Sequence, residues 1–423
     1  MEIRKIKSAE RIYSSFIGSV SYLGKMSAEY IKKLKNPAQD DGERENIWGG
    51  FDETGKLCSR LVLCDYDVRF DFHVAKLCGV AGVATLPEHR NGGYVREMFK
   101  QILPEMKERG YIFSYLYPFS YAFYRKFGYE LCYSPNAVTI PTSFFNDFPF
   151  PDNVSMYEPE GTGGNDGSSP GANGAVSNLT ADKTCSVSDF MSVYDTFAAG
   201  KNLSVVRDRS AWEDIINKDP YTTCRYAYLH RDESGAPDSY LLFNADSFAY
   251  DKKNTFRVTE TAWSTPVGMR AIFGFIKTYA PQFVELKWES PSGFDVRVYF
   301  PECADIKIER PACGMNRIVN VPAALSMLKT PDKPGGAAIK ITDEMIPSNS
   351  GTYKIEWDNG TVSTGLTDKT SDFETDIQTL TQLVTGFINF DAASLKNGVI
   401  VNGNVENLRA LFPCKDMYLW EKF

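Results

Sequence analysis

The sequence predicts an α+β protein built from several consecutive α/β units, and three observations carry that prediction. The stretch LCGVAGVATLPEHRNGGYVREM, residues 77–98, reads as a strand, a glycine-bearing loop and the first turn of a helix. Residues 187–288 repeat a helix, strands, helix, strand order. Residues 351–411 place a hairpin before two helical stretches.

In the first unit, Val80, Ala81, Val83 and Ala84 form a run of small and β-branched residues that suits a strand buried on both faces. Val95, Met98, Phe99, Ile102, Leu103 and Met106 then recur on one helical face that closes at Gly110. Pro104 interrupts that face and predicts a kink or an early stop. Residues 160–177, EGTGGNDGSSPGANGAVS, collapse to small and polar types and read as a flexible insertion. A second unit resumes with a helix over 187–198, strands over 225–229, 240–244 and 256–262, a helix over 266–279 and a strand over 283–288. A third region opens near Ile306, where MNRIVNVPAALSML sets a strand before a helix. KIEWDNG and TVSTG then make a hairpin turned at Asn359-Gly360, and helices follow at 376–384 and 404–411. The expected domains are therefore 1–150, a linker over 151–180, 181–303 and 304–423. The chain stops on WEKF, a packed rather than frayed end.

Bulk properties narrow the function. At 423 residues the chain exceeds one hydrophobic core. Forty-six basic against 54 acidic residues leave a net charge of −8, which argues against a nucleic-acid binder. Nine cysteines without a C-x-x-C pair, and only His73, His89 and His230, indicate neither a zinc site nor a disulfide scaffold, so no metal is expected. The charged start MEIRKIKSAER lacks an apolar signal core, and no apolar run approaches the roughly 18 residues of a membrane span. A cytoplasmic protein without membrane partners is the expectation.

The loop between strand and helix carries the chemistry. Gly92 and Gly93 let the backbone approach an anion, and the helix starting near Tyr94 aims its unpaired N–H groups and positive dipole end at the same place. Arg90 adds a formal charge, although backbone amides alone suffice to hold a diphosphate and Arg90 is equally readable as a solvated loop cation. Arg96 and Lys100 are readable as an ordinary charged helix face, with Arg96 near enough to the helix start to reach a phosphate. His89 reads as a loop-capping residue. Neither the dinucleotide fingerprint nor a P-loop occurs in the chain.

These residues resemble a known family, the enhanced intracellular survival (Eis) acetyltransferases, multi-domain members of the GNAT superfamily. The matching pieces are WGGFDETGKL at 48–57, VAGVATLPEHRNGGYVREM at 80–98, SYLYPFSYAFYRKFGYE at 114–130, MNRIVNVPAAL at 315–325 and the terminal Phe423. The R-N-G-G-Y-V loop is close to the R-x-x-G-x-G/A loop with which GNAT enzymes grip the pyrophosphate of acetyl-CoA. The resemblance implies tandem GNAT-like acyltransferase domains, the second without a cofactor loop, then a sterol carrier protein-like domain, assembled as a homohexamer. It implies that acetyl-CoA, the cosubstrate, lies along the backbone of Val83, Ala84 and Thr85, with its pyrophosphate on Asn91, Gly92, Gly93, Tyr94, Val95 and Arg96 and its reactive end near Phe119 and Ser120. It puts Tyr124 where the family has its general acid and Phe423 where the family uses the terminal carboxylate as base. The implied reaction is acetyl transfer to a primary amine of a small polycation, with aminoglycosides as the family's substrate class.

Elementary chemistry tests those roles. A phenol near pKa 10 and a thiol near 8.5 make proton donation to the departing thiolate nearly balanced. An α-carboxyl near 3.5 is a poor base for an ammonium near 9 or 10, a gap of about 8 kcal/mol, so Phe423 needs burial, a water relay or a weakly basic amine. Polarising the thioester carbonyl falls to a backbone N–H near Ala84 or Thr85. Tyr124 is otherwise one more member of an aromatic segment with Tyr115, Tyr117, Phe119, Tyr121, Phe123 and Phe127, and Phe423 a terminus docked to complete an interface. A non-catalytic acyl-CoA or lipid carrier and a protein lysine acetyltransferase are the competing functions.

Overall fold

The computed structural model describes residues 1–28, 31–32, 46–159, 185–245, 248–249 and 254–422. The expected flexible run over 160–177 and the terminal Phe423 lie outside the described residues. The chain divides into two compact units. One comprises residues 1–133, 312–415 and the terminal segment from Leu419, and the other residues 134–311 and 416–418.

The first unit opens with strand β1 (Glu2–Lys5) and helix α1 (Arg11–Tyr22), followed by β2 (Ile47–Phe51), β3 (Leu57–Phe70) and β4 (His73–Thr85). Helix α2 (Tyr94–Glu108), β5 (Phe113–Leu116), the short helix α3 (Tyr121–Arg125) and β6 (Glu130–Tyr133) complete its amino-terminal part. Its seven-stranded sheet runs β1, β2, β3, β4, β5, then Gly314–Ile318, then β6. The strand Gly314–Ile318 pairs antiparallel with both neighbours, Met315 opposite Leu116 and Leu131. Helix α2 buries Met98, Phe99, Ile102, Leu103 and Met106 against this sheet, among Leu61, Leu63, Cys78 and Val80. Each such side chain contributes about 1.5–3 kcal/mol relative to exposure. The helix continues through Pro104 to Glu108, so the proline does not bring the expected early stop. Proline's fixed φ is itself helical, and buried Leu103 and Met106 on either side hold the face through the one lost hydrogen bond.

The carboxyl-terminal part of this unit has a five-stranded sheet in the order Thr361–Leu366, Gly351–Asp358, Gly335–Thr342, Phe373–Asp376, Ile400–Val401. Its hairpin turns at Asn359 (φ 45°) and Gly360 (φ 75°), as the Asn-Gly signal predicts. Helices Ile377–Thr385 and Val405–Leu411 fall where periodicity put them. This part joins the first sheet through a buried ion pair. Arg317 donates to both carboxylate oxygens of Asp343 at 2.7 and 2.6 Å and to the Phe127 carbonyl, while Asn349 Nδ2 donates to Asp343 Oδ2 at 3.0 Å.

The second unit has its own seven-stranded sheet: Lys307–Glu309, Asn136–Pro141, Glu285–Ser290, Thr255–Trp263, Pro237–Asn244, Arg225–Arg231 and Val154–Met156. The sequence reading divided the chain near 150 and near 304. In the structure, Asn136–Pro141 and Lys307–Glu309 hydrogen-bond each other in the second sheet, whereas Gly314–Ile318 lies in the first. Pairing partners distant in sequence set these memberships, and local patterning does not encode them.

Candidate active site

Strand β4 parts from its neighbour partway along. It pairs in parallel with β5 only from Leu77–Phe113 to Gly79–Tyr115, yet runs on to Thr85. Among the described residues, its backbone has no strand partner on that side beyond Gly79. A bulge accompanies the divergence: pairing with β3 shifts between Arg60 and Val62, and Gly82 sits at φ 54° with Arg60 Nη2 only 2.9 Å from where a Cβ would project. The bulge has a directional consequence. Before it, the Lys76 and Cys78 carbonyls accept from Ile112 N and Ser114 Oγ on the β5 side, so even-numbered carbonyls face that way. One inserted residue turns Val83 and Thr85 to the open edge.

Those two carbonyls are occupied by the end of α1. Ser21 Oγ donates to Thr85 O at 3.1 Å, and the Tyr22 hydroxyl donates to Val83 O at 2.7 Å. The sequence reading named neither residue. No motif surrounds them, and an aromatic residue at a helix end carries no signal of what it reaches.

The anion loop follows directly. Pro87–His89 forms a short 3₁₀ turn, Asn91 adopts φ 64° and Gly93 φ 82°, and α2 starts at Tyr94. A side chain at Gly92 would meet the Tyr94 ring at 2.9 Å and the His89 carbonyl at 3.0 Å. The first helical bond is Glu97 N to Gly93 O, at 3.1 Å, and no side chain caps the helix. The amides of Tyr94, Val95 and Arg96 therefore face outward beside the exposed Asn91, Gly92 and Gly93, with Arg90 and Arg96 exposed at the rim.

Tyr124, on α3, is 3 % exposed and shares the hydrophobic cluster of the first sheet with Val83, Met98 and Phe99. Its ring meets Phe99, Phe119, Phe123 and Tyr129 edge-on at 5.1–6.4 Å. Burial first, and then the neighbouring Tyr22, push its phenol well above the ordinary range. Ser120 caps α3 by accepting from Phe123 N at 3.3 Å, which fixes where Tyr124 emerges. Phe119, 72 % exposed, covers Tyr124 from outside. Tyr124 is thus a member of the aromatic core that also packs beside Val83 of the open strand.

The terminal segment is tied to the residue just after β5, where the Tyr117 hydroxyl donates to Glu421 O at 2.8 Å. Lys422 turns its ammonium over the Trp420 ring, 5.3 Å from the centroid. Phe423 itself lies outside the described residues.

The corresponding junction of the second unit differs chemically. There Thr255–Trp263 pairs in parallel with Glu285–Ser290 and leads into helix Pro266–Ile276. Thr265 caps that helix by accepting from Gly268 N at 2.9 Å, and Pro266 removes an amide. The Asp238 carboxylate accepts from Thr265 Oγ1 at 2.9 Å and from the His230 ring at 2.6 Å. A capped, amide-poor helix start beside a carboxylate repels a diphosphate where α2 attracts one.

Comparison with known proteins finds three domain matches. Residues 2–132 and 203–318 each match a GNAT acetyltransferase domain, and residues 321–420 match a sterol carrier protein domain. No curated protein matches the chain in sequence. Among solved structures, the chain is similar to a GCN5-related N-acetyltransferase from Anabaena variabilis ATCC 29413 (19 % identity, TM-score 0.79, 99 % of this chain and 100 % of that one). It is also similar to a probable N-acyltransferase of Enterococcus faecalis V583 (19 %, 0.79, 98 % and 97 %) and to Eis1 from Mycobacterium abscessus (17 %, 0.77, 100 % and 100 %). At such identities the likeness establishes the fold, while the two domain matches establish the enzyme class. The chain is a GNAT-class acetyltransferase, with two GNAT domains followed by a sterol carrier protein domain.

Proposed function

We propose that the protein transfers the acetyl group of acetyl-CoA to a primary amine of a small polycationic acceptor of the aminoglycoside kind, by direct attack. GNAT domains use acetyl-CoA as cosubstrate, and among the described residues it is the first domain that sets an outward-facing, uncapped amide cluster beside an unpaired strand edge. That juxtaposition carries the reading. The pantetheine amides add to the Val83 and Thr85 edge as an extra strand, and the diphosphate sits over Gly92 and Gly93. Ala84 turns its backbone toward β3, so the N–H that polarises the thioester carbonyl is that of Thr85, on the open edge.

Tyr124 serves as general acid. Its raised phenol stays protonated throughout the working range, which keeps the donor in its active form. The departing thiolate forms in the same apolar surroundings, which raise the thiol's pKa as well, so the mismatch is smaller than the phenol's own shift. The terminal carboxylate of Phe423 receives the amine proton. Lys422, drawn to Trp420, leaves that carboxylate less opposed in binding a cationic amine. A cytoplasmic homohexamer is the accompanying expectation of the family resemblance.

The deciding experiment measures thiol release from acetyl-CoA with and without an aminoglycoside. Amine-dependent turnover supports the assignment. Saturable acetyl-CoA binding with no release in the presence of any amine would favour the carrier function instead.

A further inference from the structure

Behind the anion loop, three residues from separate segments offer metal-ligand atoms that all lie within 4.8 Å of one another: Asp52, Cys58 and His89. Asp52 sits in the β2–β3 turn and is rigidly held. Its Oδ1 accepts from Thr54 N at 2.9 Å, Thr54 Oγ1 at 2.7 Å and Lys56 N at 3.0 Å, which leaves Oδ2 facing Cys58 Sγ at 3.7 Å. Two vertices of a zinc tetrahedron, with bonds of about 2.3 Å to sulfur and about 2.0–2.2 Å to oxygen, lie about 3.6 Å apart. Cys58 is buried in β3, and its carbonyl accepts from Leu86 N at 2.9 Å, so the strand is already fastened to the start of the loop. His89, half-buried, closes the third side, and its ring stands edge-on to Tyr94 at 6.1 Å. The Cys58 sulfur also lies 3.2 Å from the Lys56 carbonyl, so the thiol is held between the β2–β3 turn and the loop.

We propose that Asp52, Cys58 and His89 bind one zinc-class divalent cation, with water in the fourth position. The sulfur, nitrogen and oxygen set selects a borderline-soft ion over magnesium or calcium, which take oxygen ligands. Binding replaces the Cys58 thiol proton, which leaves to solvent, and forms metal–sulfur, metal–nitrogen and metal–oxygen bonds without any change of oxidation state. The bound ion bridges the β2–β3 turn, β3 and the first turn of the anion loop, a gap that the Lys56–Glu88 pair at 3.7 Å also spans at its exposed rim. Sequence reading excluded a zinc site because the three ligands share no local spacing motif. The inference stands apart from acetyl transfer, since neither its success nor its failure alters the coenzyme-binding test.

The test is titration of the full-length, chelator-stripped protein with Co²⁺. One equivalent should produce a thiolate-to-cobalt charge-transfer band in the near ultraviolet together with the intense visible bands of tetrahedral Co²⁺. Zn²⁺ should abolish both signals, and Mg²⁺ should leave them unchanged. Cys58→Ser should abolish the charge-transfer band. His89→Gln, a change at the loop surface, should weaken Co²⁺ binding at least about tenfold. Near-ultraviolet circular dichroism of each variant separates ligand loss from unfolding, and His89→Gln serves where Cys58→Ser fails to fold. The proposal is overturned by no band in the wild type, by competition from Mg²⁺, or by a band that survives in folded Cys58→Ser and His89→Gln, which would assign it to another of the nine cysteines.

Discussion

The Tyr22 hydroxyl donates to the Val83 carbonyl at 2.7 Å, so a side chain from the end of α1 holds an acceptor on the strand edge where we propose that pantetheine adds. Ser21 does the same at Thr85. The Val83 and Thr85 carbonyls of the open edge are therefore satisfied from within the chain. In the proposed complex the coenzyme's amides would take the place of these hydrogen bonds. Only the difference between the two sets contributes to affinity.

Tyr22→Phe removes the competing donor and keeps the ring. With a net hydrogen bond worth about 0.5–1.5 kcal/mol, acetyl-CoA should bind about 2- to 10-fold more tightly. Titration calorimetry reads this directly. A weaker complex would mean instead that Tyr22 belongs to the bound state.

Tyr124→Phe keeps the buried ring and removes the proton. Turnover should fall about 10²- to 10⁴-fold while acetyl-CoA affinity stays within about twofold of wild type. The pH profile adds an independent readout. A donor whose folded pKa is raised stays protonated below that pKa and is lost only as pH rises through it, and burial places that point above the ordinary phenol range. The wild-type rate should therefore climb with pH as the acceptor amine deprotonates and show no alkaline limb below about pH 10. A falling limb at lower pH would remove Tyr124 from the acid role.

Much of this arrangement was legible in the sequence. The face from Met98 to Met106, the Asn91–Tyr94 loop and the Asn359-Gly360 turn all rest on local rules, namely the helical period, positive φ at glycine and asparagine, and primed turns. What escaped depends on distance along the chain. The strand Gly314–Ile318 finds its place between β5 and β6, and Arg317 reaches a carbonyl 190 residues earlier, at Phe127. Tyr22 lies 61 residues from Val83, and the Asp52, Cys58 and His89 set spans three elements. Pro104 misled because the rule against helical proline is local while the packing that overrides it is not.

Gly92→Val tests the loop without touching the strand. The new side chain would press the Tyr94 ring and the His89 carbonyl, both within about 3 Å of the Cβ position. The loop must shift, and acetyl-CoA affinity should drop about tenfold or more. Acetyl-pantetheine, which lacks the diphosphate, should react with both proteins at similar rates. Equal loss for the two donors would show that the damage extends to β4.

Arg317→Ala probes the join between the first sheet and the carboxyl-terminal domain. Arg317 and Asp343 are both fully buried, and removal of the guanidinium leaves a carboxylate whose remaining donors are Asn349 and the Met345 and Ile346 amides. Breaking a buried pair on one side costs about 3–5 kcal/mol, mostly from the stranded charge. Arg317→Met combined with Asp343→Leu removes both charges together, so its cost should be clearly smaller than that of Arg317→Ala. The comparison is made by urea unfolding, with the strand Gly314–Ile318 as the element at stake: if it docks chiefly through this pair, single and double variants should unfold at equally low urea. Its apolar residues Met315 and Ile318 are fully buried, which favours the unequal outcome.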